Sequence, residues 1–241
     1  MIGFFRKIRK QLADDNKPLK YARYAFGEIV LVVIGILIAL SINNWNETKK
    51  TFKKETILLV ELKSNLETNL MRLGQDIKIQ KRGAWCIDFL IDHIENKRPF
   101  NDSIAKYLQE GNFAPDVILT SSSFETLKST GLDLIKSDLL RQEIINLFEV
   151  TYPYLMQETK RIEDQVWPAA VVPIFQKHLR MKKGRWFPNN YDSMLKDEEF
   201  LNMWSFRLEL RKNSTFSKSR AMKETNDVIG LIQDELIKRG K

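Results

Sequence analysis

His93 and His178, the single Cys86 and the serine run Ser121 to Ser123 are the side chains with the most direct capacity for chemistry. A zinc site takes three or four His, Cys or carboxylate ligands, commonly announced by short ligand spacings. The two histidines stand 85 residues apart, and "DHIE" sets Asp92 and Glu95 on one helix face with His93 offset. A metal role needs a third ligand from elsewhere, so a histidine partly exposed on a helix is the simpler expectation. A serine nucleophile sits on a glycine-flanked elbow; none surrounds "SSSFE", where helix capping accounts for the serines. Cys86 follows Trp85 in an apolar segment, the setting of a small buried hydrophobe rather than an activated thiolate. One cysteine also excludes an intramolecular disulfide framework. Neither common glycine-rich phosphate loop is present. No catalytic residue, cofactor or metal is expected, and the chain reads as non-catalytic.

The elements that would position these residues are helices. Ten glycines and seven prolines in 241 residues argue against a loop-rich β fold, and the length suits an anchor plus one domain. Leu59, Leu62, Leu66, Leu70, Leu73 and Ile77 recur at three and four residues, which predicts a long amphipathic helix from about Glu47 to Lys81. Asn69 and Asp76 interrupt a strict heptad, favouring a bundle helix over a coiled coil. "AWCIDFLIDHIE" predicts a second helix, with Trp85, Phe89 and His93 at i, i+4, i+8, and "NDSIAKYLQEG" a third, stopped by Gly111. In "SSSFETLKSTG" Ser122 and Glu125 have capping-box spacing and Gly131 favours a left-handed end. A further helix starts at Ser137 with Asp138 in its first turn, and Pro153 ends or kinks it. "QVWPAAVVPIFQKHLR" starts another, "KKGRWFPNN" reads as a loop, and about Asp197 to Lys238 is helical through Leu201, Trp204, Leu208, Val228, Leu231, Ile232 and Leu236. No strand alternation competes with these stripes.

Charge and hydropathy then place the chain. Of the formal net charge of +8, residues 1 to 23 hold a surplus of five, from seven Lys/Arg against Asp14 and Asp15. A basic cluster directly before an apolar run attracts anionic lipid and holds a segment on the cytoplasmic side, so nucleic acid loses its main support as a partner. In "MIGFFRKIRKQL", Ile2, Phe5, Ile8 and Leu12 share a face away from Arg6, Lys7, Arg9 and Lys10, the pattern of an interfacial helix on lipid. Pro18 suits the first turn of the next helix. From Ala25 to Trp45 is 21 residues, a helix of roughly 31 Å, near the hydrocarbon thickness of a bilayer. Ile29 to Leu40 is apolar all round, unlike an amphipathic core helix. Ala39 and Ser41 make a poor cleavage site, so a retained signal-anchor is expected over a cleaved signal peptide. Tyr21 and Tyr24 would lie at the near interface and Trp45 at the far one. Four lysines, Lys49, Lys50, Lys53 and Lys54, follow the span against seven basic residues before it, a bias toward a cytoplasmic N-terminus.

The order "FFRKIRKQL", "YAFGEIVLVVIGILIALSINNWNE" and "SSFETLKSTGLDLIKSDLLRQEIINLFE" resembles an uncharacterised family of small single-pass membrane proteins of Bacteroidota with a domain of unknown function. The resemblance is close over the first fifty residues and good from Ser121 to about Tyr154, resting on Gly27, Glu28 and Ile29, on Asn43 to Asn46, and on Phe124 to Gly131. It implies an inner-membrane anchor and no known activity.

The expected architecture is therefore all-α: a basic cytoplasmic arm over 1–23, a transmembrane signal-anchor helix over 24–45, and an antiparallel helical-bundle domain over 46–241, in the periplasm. Gly35 and Ala39 form a small-xxx-small face with Gly27 on the same side, where a second span could approach. Glu28 lies one turn inside the cytoplasmic end, affordable at the interface and placed to meet a basic group on another subunit. The expected function is a membrane-anchored, non-catalytic helical interaction or scaffold protein of the cell envelope, whose partners are the bilayer and a second copy or an envelope protein. The alternative is a sensor-like domain that binds a small ligand between helices and acts through a partner.

Overall fold

The computed structural model describes residues 18–240. The basic arm, with Arg6, Lys7, Arg9 and Lys10, lies outside the described residues. The chain divides into two compact units between Lys54 and Glu55. Helix α1, Pro18–Glu95, runs through that division without a break.

In the N-terminal unit the apolar run is helical, and its side chains from Ile29 to Ile42 are exposed all round. An unburied apolar surface of that extent suits lipid. Among the described residues this is one helix long and apolar enough to cross a membrane. Ser41 Oγ donates to the Leu37 carbonyl at 2.8 Å, so its hydroxyl is satisfied inside the helix. Beyond the run, Trp45 is exposed with the Lys49 ammonium 5.3 Å from its ring centre.

The second unit is built on two long antiparallel helices, α1 from Glu55 onward and α8, Glu198–Lys238. As partner numbers rise on α1 they fall on α8: Glu55 meets Arg239, Asp76 meets Lys218 and Gln80 meets Arg211. The buried positions of α1 keep a seven-residue repeat, Glu55, Leu62, Asn69 and Asp76 on one seam and Leu59, Leu66, Leu73 and Gln80 on the other. This corrects the sequence reading. Asn69 and Asp76 do not interrupt the heptad; they occupy it, buried and partnered. Asn69 donates to the Thr120 carbonyl at 3.0 Å and accepts from the Thr120 amide at 2.8 Å. On α8 the matching seam is Trp204, Arg211, Lys218, Thr225 and Ile232, all buried, then Arg239. Polar side chains at such positions fix register, because a slip of one residue strands each of them.

The expected break near Lys81 is absent: the two predicted helices are one. Gly83 lies inside this helix, and the Arg211 guanidinium rests against it where a β-carbon would collide. α1 ends on a Schellman turn, with Arg98 N donating to the His93 carbonyl at 3.1 Å and Lys97 N to the Ile94 carbonyl at 2.9 Å. α2, Asp102–Asn112, is capped by Asn101 and runs past Gly111, which does not stop it. A β-carbon at Gly111 would sit 3.1 Å from Ile87 and 3.3 Å from Trp204, so this glycine permits close helix approach.

α3, Ser122–Thr130, has Ser121 at its N-cap without a side-chain bond; Ser122 instead donates to Asn65 Oδ1 at 2.8 Å, so the expected capping box does not form. Gly131 closes the helix at φ 110°. A 3-10 turn, Leu132–Leu134, leads to Ser137, whose hydroxyl caps α4, Asp138–Asn146, as expected. Pro153 does not end the helix. The ladder widens into a π segment, Leu147–Thr151, with Tyr152 N bonded back to the Leu147 carbonyl, and α5, Tyr152–Arg161, continues. A second π segment, Ile162–Val171, holds Pro168 before α6, Val172–His178. Proline removes a donor and clashes with the carbonyl four residues back, and a wider turn accommodates both.

The predicted loop "KKGRWFPNN" is in fact a hairpin. β1, Leu179–Lys182, pairs antiparallel with β2, Arg185–Pro188, from Leu179↔Pro188 to Lys182↔Arg185. Lys183 and Gly184 both have positive φ, 50° and 75°, which the two-residue turn requires. After α7, Tyr191–Met194, Asp197 caps α8 by accepting from Glu199 N at 2.9 Å and Phe200 N at 3.4 Å. Apart from this hairpin and short connections such as 113–121, the described chain is helical, in agreement with the all-α reading.

Three cores line the seam. One joins Leu62 and Leu66 to Ile144, Val228 and Ile232, with Phe124 stacked on Phe148 at 4.6 Å. A small central one holds Leu73, Val117, Leu155 and Ala221. The third, rich in aromatics, gathers Ile87, Leu90 and Leu108 with Phe175, Phe200 and Trp204.

Candidate functional site

The residues first considered for chemistry stand apart from one another in the fold, each with its own partners. Cys86 is fully buried; burial, then the bond from its thiol to Glu110 Oε2 at 3.3 Å, pushes the thiol up to about 11. His93 is buried rather than partly exposed, because it closes the α1 turn by donating from Nε2 to the Pro99 carbonyl at 3.1 Å. Trp85, Phe89 and His93 stack at 5.9 Å steps along one face. His178 is buried and bonded through Nε2 to Asp197 Oδ2 at 2.7 Å, while Lys177 reaches the same oxygen at 2.5 Å. Among the described residues no group of three or more His, Cys, Asp or Glu stands together to hold a metal ion. Gly27, Glu28, Gly35, Ala39, Tyr21 and Tyr24 all lie on α1, and neither Gly27 nor Gly35 has a neighbour within 4 Å of a β-carbon position.

Where the third core meets the seam, a cavity of ≈ 370 Å³ opens. Gln80 of α1, Asn112 at the end of α2 and the following Ala114 and Pro115 line one side. Val166, Trp167 and Val171 of the second π segment line another. α8 supplies Arg207, Leu210, Arg211, Ser214 and Lys218. Three cations therefore line one cavity, and all three residues are buried, Arg207 at 6 %, Arg211 at 4 % and Lys218 at 1 % exposure.

Their partners differ. Lys218 is paired with Asp76 Oδ2, which cancels its charge, although Asp76 Oδ1 has no partner. Arg207 donates through Nη1 to Asn112 Oδ1 and through Nη2 to the Asn112 carbonyl at 3.1 Å. Its guanidinium lies 4.9 Å from the Trp167 ring, 5.2 Å from Trp204 and 5.9 Å from Phe175. Arg211 donates at 2.8 Å to Gln80 Oε1 and to the carbonyls of Gly111 and Phe113, while its Nε is buried without a partner. Every one of these acceptors is neutral.

Burial, then the neighbouring Arg211 charge, pushes Arg207 down to about 9. Burial pushes Arg211 down to about 10, with Cys86 and then Asp76 pulling the other way. Both remain charged at neutral pH. The carbonyls they meet end α2 and carry the negative end of its dipole, worth about half a charge. The arginines thus cap α2, but that end offsets only part of two positive charges.

Sequence reading missed these residues. The apolar stripe of the last helix lapses between Leu208 and Val228, and the same seven-residue spacing that places Trp204 and Ile232 in the core places Arg211, Lys218 and Thr225 there too. A charge at a heptad core position was the signal.

These features define a class: a helical domain with a charged internal cavity, carried on a chain that has one helix long and apolar enough to cross a membrane. The chain belongs to the family of unknown function DUF6090, whose family model matches residues 28–204. No curated protein and no solved structure matches it.

Proposed function

We propose that this chain is a membrane-anchored, non-catalytic interaction protein of the bacterial cell envelope whose bundle binds a small ligand and acts through a partner. The span crosses the inner membrane once as a signal-anchor, with the N-terminus cytoplasmic and the domain periplasmic, a reading supported by the basic arm before the apolar run. The observation that carries ligand binding is the cavity with two buried guanidiniums that meet neutral acceptors only. A buried charge without a counter-charge costs stability, and such costs concentrate at functional sites. Partner contact falls to the face of the span bearing Gly27, Glu28, Gly35 and Ala39, toward a second copy or an envelope protein.

Native mass spectrometry of the full chain released from its own membranes tests the reading. A discrete added mass, absent from Ser214→Phe, is expected; the bare chain in every preparation would overturn ligand binding. Labelling of single cysteines placed near the C-terminus is expected without opening the cytoplasm, and labelling only after permeabilisation would reverse the orientation. Loss of crosslinked oligomers in Gly35→Leu is expected for a span contact.

A further inference from the structure

We infer that the cavity between Arg207, Arg211 and Trp167 takes a small organic monoanion, a carboxylate on an apolar or aromatic body. The inference deepens the ligand-binding reading and rests on it. Charge, shape and surroundings each constrain the ligand. With Lys218 neutralised by Asp76, the surplus in the cavity is that of two guanidiniums less the end of α2. A surplus of about one and a half positive charges calls for an anion and lies as near to one negative charge as to two, so the choice of a carboxylate falls to the rest of the wall. Arg207 and Arg211 have together five donor contacts to protein acceptors, two from the first and three from the second. Two guanidiniums present about ten N–H groups, so donors remain for an incoming carboxylate.

Beside Gln80, Asn112, Ser214 and Lys218, much of the remaining wall is apolar. Val166, Trp167, Val171, Leu210 and Pro115 offer apolar contact to whatever carries the charge. A bare inorganic anion would leave that wall wet, whereas an aromatic or aliphatic body would cover it. The volume of ≈ 370 Å³ is of the size used for small ligands, about 300 to 1,000 Å³. Trp167 already stacks on the Arg207 guanidinium, so a flat ligand has an aromatic and a cationic plane to lie against.

The two arginines also hold α2 in place, so the test must separate structure from binding. The full chain, in nanodiscs of zwitterionic lipid, is titrated calorimetrically with benzoate, 2-naphthoate, decanoate and inorganic phosphate, and in parallel with the neutral amides of the three carboxylates. At least one carboxylate is expected to bind once per chain while its amide binds about tenfold or more weakly. Ser214→Phe, which fills the cavity and keeps both arginines, is expected to abolish binding with unfolding unchanged. Arg207→Gln is expected to lower carboxylate affinity about tenfold and leave the amide where it was. Amide and carboxylate binding equally, both lost in Ser214→Phe, would overturn the anionic preference and leave the ligand pocket standing. Binding of inorganic phosphate alone would replace the organic anion by a free ion. Binding that survives Ser214→Phe would place the ligand elsewhere, and no binding by either set to the folded chain would end both readings.

Discussion

The seam between α1 and α8 buries arginine at both ends, and the two ends treat it differently. Near the start of the domain, Arg239 donates to Glu55 Oε1 and Glu235 Oε1, each at 2.8 Å, so its guanidinium has two carboxylates. At the far end Arg207 and Arg211 have carbonyls, amides and rings. The same two helices thus supply a carboxylate to Arg239 and to Lys218 and give only neutral acceptors to the two arginines of the cavity. A residue type and its burial do not tell structure from function; the counter-charge does.

Four changes would break or sharpen that contrast. The largest effect is expected from Asp76→Asn, which leaves Lys218 charged and buried opposite a neutral amide. Removing one partner of a buried pair costs about 3 to 5 kcal/mol, and a urea-unfolding loss below about 1 kcal/mol would show that the paired part of the seam is no firmer than the rest. Leu62→Ala, in the dry core, is expected to cost about 2 to 5 kcal/mol in the same assay, with a cavity as the cause.

Asp197 comes next. Lys177 and His178 hold its carboxyl well below the usual range, with the Glu199 amide assisting against a burial effect of opposite sign. Its native value being depressed, its contribution is complete above the unfolded value of about 4 and drains away as pH falls through the native one. Asp197→Ala is expected to cost about 1 kcal/mol at neutral pH as a lost N-cap, and the gap from the parent should close in acid. A gap that stays constant with pH would assign the loss to packing. The smallest change is expected from Arg207→Met, which removes a cation that has no counter-charge; stability should stay within about 1 kcal/mol or rise. A loss of the size seen for Asp76→Asn would make the two ends of the seam alike and the arginine merely structural.

Much of the scaffold is legible in the sequence because it rests on local rules. Ser137 and Asp197 mark helix starts, Gly131 marks an end, and the run of Ile29 to Leu40 declares itself by lacking a polar face. The hairpin escaped because four-residue strands leave almost no alternation, though Lys183–Gly184 is a recognisable two-residue turn. The merged α1 escaped because Gly83 looks like a breaker until Arg211, more than a hundred residues later, is seen to need its missing side chain. The cavity was illegible for a related reason. Polar residues on a heptad read as interruptions until their partners on an antiparallel helix are known, and those partners are set by tertiary register alone.

The π segment Ile162–Val171 adds one consequence. Each of its turns holds nearly one residue more than a regular helical turn, so the strip of wall that carries Val166, Trp167 and Val171 is wider and holds more residues for its length than the helix on either side. The apolar wall of the cavity thereby rests on a widened backbone, while its charged floor rests on the regular turns of α8.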